Sequence, residues 1–495
     1  MKLRPKMINR MKMEQLYKSG ICFVALLLSN LLLIQNSFGQ AGPVRLKGSG
    51  GTATEINIGG IWYEVHTYTA AVTSTFTPPS GAGSVDYLVV AGGGGGGSSA
   101  DRTGGGGGAG GVLSNSSFGV TIQAYPVTVG GGGLANTAGG NSVFAAFSTV
   151  GGGRGGQSTG LARGTTGGSG GGAYHNSGDA GGSGTTGQGT AGGSGFDNAN
   201  NQFGAGGGGG QSQAGGTAVL GQAGKGGNGF TSSISGTSIV YAGGGGGGYE
   251  RTSGANGLAG NGGSGGGGAG AFSASNATSV NGTAGTANTG GGGGGAAGGT
   301  GGVGGAGGSG IVIIRYKAPT MAVTTQPSLI VPAGTNFAQP VVIQILDGNG
   351  LAVAGIVVTA SIQSGTGGTL NNNTATTDAS GNAIFTNLQL SGPAGNPYTL
   401  NFQVPGSATL VVSNTINICG VPLSTITGHS NITCNGNNDG AITVQASGGA
   451  SPYTFSINTG SFSAGSSADK NTYTALAPNT PYQVKVKDSN GCISK

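Results

Sequence analysis

The residues able to do acid–base or nucleophilic chemistry are few and far apart. Histidine occurs three times, as His66, His175 and His429, spread over three different segments, and none is assigned the local partner that a Ser-His-Asp arrangement would require. His66 falls in an alternating strand pattern and is expected at the surface. His175 is expected in a glycine-rich loop, in a structural or solvent-facing role, and His429 between domains. The acids are scattered, and most sit in turns where Asp bonds its own backbone, so no glycosidase-type carboxylate pair is indicated. Gly-x-Gly-x-x-Gly matches recur because the chain holds 118 glycines. None opens a predicted helix or ends in Gly-Lys-Ser/Thr, which excludes a phosphate-cradling loop. Asn435, Asn437, Asp439 and Gly440 imitate the start of a calcium loop, but Ala446 stands at the twelfth position in place of the bidentate glutamate. A β-turn is expected there. No catalytic, cofactor-binding or metal residue is therefore assigned, no cofactor is expected, and the chain reads as a non-enzyme.

Four cysteines remain: Cys22, Cys419, Cys434 and Cys492. Cys22 belongs to a leader with a Lys/Arg-rich start, an apolar run from Ile21 to Ile34, and the small residues Ser37 and Gly39 before Gln40. This is the pattern of a signal peptide over 1–39; a run broken by Asn30 is too short for a bilayer span of ~20 residues. No stable membrane insertion is expected after cleavage. Export places the other three cysteines in an oxidising setting, so one disulfide and one spare thiol are expected.

The elements that must position any site differ in kind along the 495 residues. Charged residues make up only 6%, against ~25% in ordinary globular proteins. The net charge of +6 belongs to the leader: six of the 19 Lys/Arg and one of the 13 acids precede Gly39, leaving 13 bases against 12 acids. No basic stripe is left for nucleic acid. Residues 40–54 read as a linker. Large β-formers alternate over Ile61–Thr69, and Val85–Val90 is a second strand that runs into Ala91 and six glycines. Strands feeding glycine runs recur at 125–133, 148–153 and 239–248, with no fixed period, and Ile311–Tyr316 closes the region. Collagen is excluded because no proline falls between Pro126 and Pro319. A flexible linker is disfavoured by the strands and by internal aromatics such as Phe144, Tyr249 and Phe272. What remains is a bundle of extended polyglycine helices bonded sideways, with short β-strands.

Leu88–Gly92, Tyr125–Gly133, Gly139–Phe144 and Gly307–Tyr316 together resemble the glycine-rich domain of phage tail-fibre adhesins and bacterial surface proteins. That resemblance covers 55–317 and implies a polyglycine bundle with loops that can contact a receptor. From Ala318 the composition turns to Val, Ile and Thr, with turn signals about every ten residues to Ile418. Val323–Ser328 and Asp378–Leu388 are similar to bacterial Ig-like domains, which implies a β-sandwich spacer over 318–418. The last segment, 419–495, resembles the SprB repeat of gliding-motility adhesins through Ile432–Gly440, Pro452–Ile457 and Tyr482–Cys492. The resemblance implies a second sandwich, type IX export and further repeats beyond Lys495, so the chain reads as truncated. Within that repeat Cys434 is expected to end the opening strand and Cys492 to follow the closing one. A Cys434–Cys492 disulfide is expected, enclosing ~60 residues, with Cys419 left free at the junction.

The fold class expected is thus mainly β: a polyglycine-II-like bundle followed by two Ig-like sandwiches. The function expected is a secreted cell-surface adhesin or structural protein whose partner is an unidentified surface receptor or polysaccharide. The alternative is the non-catalytic front part of a larger secreted polysaccharide-degrading enzyme.

Overall fold

The computed structural model describes residues 43–494, apart from 100, 158–162, 177, 199–200, 252–256, 276, 300, 395, 421, 434–437 and 490. The leader, with its expected cleavage before Gln40, lies outside the described residues. Every regular element described is a β-strand.

The base of the glycine-rich part is a pair of sheets. A five-stranded antiparallel sheet runs in the order Thr52–Ile58, Ile61–Tyr68, Ile311–Lys317, Ser84–Val90, Val112–Gly119. The last strand of the region thereby sits in the middle, between two of its first. Its alternation places Val312, Ile314 and Tyr316 on one face, against Phe76, Tyr87 and Phe144, where the four-stranded sheet from Thr73–Phe76 to Phe147–Thr149 covers it. Ile311 and Ile313 point to the opposite face, against Ala109, Ile234 and Ala242. Both faces are buried, which is why the strand reads as an unbroken apolar run.

Beyond this base the glycine runs carry neither helix nor strand, yet their backbone groups are paired. Gly92 and Gly95 donate to Gly140 and Thr137; Gly93 and Gly96 donate to Gly308 and Gly305; Gly94 and Gly97 donate to Gly108 and Gly105. Every third amide returns to the same neighbouring run. The run 104–111 sits at the centre. It donates to 290–296, 150–156 and 206–209, and it accepts from 91–97, 169–172 and 243–248. Six runs therefore surround it. An added Cβ at Gly94 would overlap the Gly153 carbonyl, and one at Gly106 that of Gly245. Glycine is required here by close approach of backbones, and only small residues such as Ala109, Ser169 and Ala205 replace it in the buried layer.

Residues 320–419 form two facing sheets around one core. The first contains Val44–Arg45, Thr320–Thr325, Val341–Leu346 and Asn382–Phe385. The second is built on Val357–Ser364, Pro397–Gln403 and Ile416–Cys419. Met321, Ile343, Phe385, Tyr398 and Phe402 fill the space between. The segment read as a linker is corrected here. Val44 and Arg45 pair with Met321 and Thr320, Leu46 is fully buried in the sandwich core, and Thr52–Ile58 pairs with Ile61–Tyr68. A short apolar segment gives no periodicity of its own; it becomes a strand only because an edge is waiting for it.

The last unit also has two sheets, Leu423–Ser430/Gly440–Ser447/Lys470–Leu476 and Ser463–Ala464/Thr454–Ile457/Val484–Lys487. Val444, Tyr453, Phe455 and Val486 pack between them, on the faces their alternation assigns. The expected Cys434–Cys492 bridge is not formed. Cys492 is bonded to Cys419, with Cα atoms 5.8 Å apart, and Cys434 lies outside the described residues. The reason is a turn. The Asp488 carboxylate accepts from the Cys492 and Ala450 amides, and the Ser489 amide donates to Ala450 O. This folds the tail onto the 448–450 turn, which lies against Gly420. Cys492 is carried to the start of the unit and meets the strand that ends the sandwich.

Candidate functional site

The glycine-rich part concentrates its chemistry at one end. Between Gly92 and Gly310 there are nine charged residues. Seven of them, Asp101, Arg102, Arg163, Asp179, Asp197, Glu250 and Arg251, lie where the runs turn back at the end remote from the base; the others are Arg154 and Lys225. A four-stranded sheet covers this end, in the order Phe196–Asn198, Gln202–Gly204, Tyr249–Arg251, Phe272–Ser273. Its register puts Asp197, Phe203, Glu250 and Ser273 in one row.

Arg102 packs onto that row. Its guanidinium lies 4.0 Å from the centroid of the Phe203 ring and 3.3 Å from Glu250 Oε1. Arg102 holds this position with a φ of 111°, a conformation L-residues rarely adopt. Glu250 is fully buried, and its Oε2 finds no hydrogen-bond partner. Burial raises the Glu250 carboxyl pKa, against the lowering pull of Arg102. His175 is packed between Tyr174 and Phe203, with ring centroids at 3.9 and 4.9 Å. Burial pulls its pKa down to about 4, although Asp197 acts in the other direction. His175 is therefore neutral at physiological pH, and of the structural and solvent-facing roles expected for it, its burial fits the structural one.

His66 is corrected as well: it is fully buried, not at the surface. Both sheet faces are covered here, so alternation marks no exposed side. Its Nδ1 donates to Gly50 O at 2.6 Å, and its ring lies between Phe76 and Tyr316. The Tyr316 hydroxyl donates to buried Glu64, while the Gly48 amide donates to both the hydroxyl and the carboxylate, at 2.6 and 3.1 Å. His66, Glu64 and Tyr316 thus anchor the chain entering the base. His429 lies on the exposed Leu423–Ser430 strand, opposite Ile442. Of the calcium-like stretch, Asn435 and Asn437 fall outside the described residues, and the Asp439 carboxylate accepts from Thr433 N at 3.1 Å. Among the described residues no group of three or more His, Cys, Asp or Glu could hold a metal ion.

The glycine-rich domain profile matches residues 69–317, just over half of the 495. The chain belongs to the glycine-rich domain family. An SprB repeat is matched at 429–462, within the last unit of this glycine-rich protein. No curated protein matches it. Two solved structures are similar in part. One is the C-terminal 282-residue fragment of intimin in complex with the intimin-binding domain of the translocated intimin receptor. It is 18% identical with a TM-score of 0.23, over 36% of this chain and 56% of that one, little more than half its length. The other, the D0-D1 domain of intimin, is 19% identical with a TM-score of 0.16, over 35% of this chain and 96% of that one.

Sequence reasoning missed Arg102, Glu250 and His175 as a group. The available signal was that charge and aromatic residues in this region occur together in the gaps between glycine runs.

Proposed function

We propose that this chain is an exported, non-catalytic surface adhesin, cleaved before Gln40, in which a glycine-rich rod presents its far end to a receptor. The rod is read as packed polyglycine II-type helices. The three-residue recurrence of its hydrogen bonds supports this, because that helix has three residues per turn and no internal bonds. At ~3.1 Å per residue, a seven-residue run spans about 20 Å. The rod then holds its end loops well clear of the base, on a scaffold cross-bonded along its length. The sandwich and the SprB-type unit serve as spacers on the cell side.

One observation carries the reading: seven of nine charges in the rod region gather at the end remote from the base. Arg102 and Glu250 serve packing there, but Asp101 and Arg163 are not buried. The Asp101 and Arg163 side chains are 65% and 74% exposed and available to a partner. The test uses beads coated with the mature chain, allowed to adhere under flow to bacterial envelope preparations and to polysaccharide gels. Adhesion to at least one surface is expected, reduced tenfold or more by the charge reversals Asp101→Arg and Arg163→Glu. Adhesion unchanged by both reversals would overturn the end-contact reading. Release of reducing sugar from the gels would overturn the non-catalytic one.

A further inference from the structure

The sheet face opposite Val312, Ile314 and Tyr316 changes from apolar to polar at Arg315. Alternation puts Ile311, Ile313, Arg315 and Lys317 on one face, and the register sets Asp86 opposite Arg315 and Tyr63 opposite Lys317. Arg315 pairs with Asp86 at 2.8 Å, and its guanidinium lies 4.9 Å from the Tyr63 ring centroid. Two cavities, of about 440 and 370 Å³, open beside this pair, and both are lined by it. The Asp347–Asn349 turn of the neighbouring sandwich walls the larger, and Ser232 and Ser233 wall the smaller. The two cavities flank the Arg315–Asp86 pair, each in the size range of ligand sites.

The composition of the larger cavity selects a ligand class. Two acids, Asp86 and Asp347, face two bases, Arg315 and Lys317, so neither an anion nor a cation is favoured. The walls are rich in hydroxyl and amide groups, which can both donate and accept. Tyr63 supplies an aromatic ring at the cavity wall, beside the Arg315 guanidinium. Fixed donors and acceptors of both kinds beside one ring match a neutral, polyhydroxylated ligand. We propose that this cavity, between the glycine-rich base and the sandwich, is a binding site for a neutral oligosaccharide. It lies at the opposite end of the rod from the charged loops and does not depend on the contact proposed there.

The test titrates the mature full chain with cellohexaose, xylohexaose, mannohexaose and laminarihexaose by calorimetry, and follows the bound one by amide chemical shifts. At least one hexasaccharide is expected to bind. Tyr63→Ala and Asn349→Ala are each expected to weaken it tenfold or more at unchanged melting temperature, while Asp101→Arg leaves it unaltered. Shifts in the unsubstituted chain are expected around Tyr63, Asp86, Ser117 and Asn349, which keeps the test decisive if Tyr63→Ala fails to fold. Absence of binding by all four sugars at millimolar concentration overturns the proposal. So does binding that both variants retain, or shifts confined to the far end of the rod.

Discussion

Cys419, the last residue of the Ile416–Cys419 strand, is disulfide-bonded to Cys492, 73 residues further on. The bond joins the end of the sandwich to the end of the following unit and fixes the chain on both sides of the junction. Non-reducing peptide mapping is expected to recover linked peptides carrying Cys419 and Cys492, with Cys434 alkylated as a free thiol. Cys419→Ser with Cys492→Ser is expected to cost the last unit about 2–4 kcal/mol in denaturant unfolding. A linked Cys434–Cys492 peptide would refute the pairing.

Leu46 tests the role of the entering segment. Fully buried among Met321, Ile343 and their neighbours, it is expected to lose about 2–4 kcal/mol on substitution by Ala. A residue in a true linker would be indifferent, and a change below about 0.5 kcal/mol would restore that reading.

The rod predicts a sharp contrast between glycines. Gly94→Ala forces a methyl group into the Gly153 carbonyl, and overpacking of this kind costs about 1–3 kcal/mol or more. Nothing lies within 4 Å of the corresponding position at Gly119, so Gly119→Ala is expected to stay within about 0.5 kcal/mol. Equal thermal shifts in the two variants would argue against close-packed backbones.

At the far end, Arg102→Ala removes the cation beside fully buried Glu250. The expected cost is about 3 kcal/mol, because a buried carboxylate is left uncompensated. Adding Glu250→Ala to that variant is expected to recover part of the loss. A double-mutant cycle with no coupling would mean that the pair contributes nothing.

His175 gives a pH signature. Folding lowers its pKa from the ordinary value near 6.5 to about 4, so the unfolded chain binds the proton more readily between those values. The stabilising contribution is complete above about pH 6.5 and is lost as pH falls through about 4. An imidazole resonance of His175 that titrates near 6.5 in the folded protein would contradict its burial.

What the sequence determined by itself is the local chemistry. Alternation of Tyr453, Phe455 and Ile457, the β-branched run 311–316 and the turn at Asp378–Gly381 specify strands and turns, because side-chain direction in a strand follows the chain with a period of two. The glycine runs likewise announce a backbone free of side chains. Tertiary structure alone decided who meets whom. That Gly94 bonds to Gly108, that Leu46 enters a core far along the chain, that Cys492 turns toward Cys419, and that Glu250 is buried against Arg102 depend on partners up to hundreds of residues away. Polyglycine carries no side-chain code for choosing a neighbour, so its partners are set by the sheet that clamps the base and by the lengths of the turns between runs. His66 shows the same division at one residue: its strand was legible, but its burial came from a second sheet whose place no local pattern records.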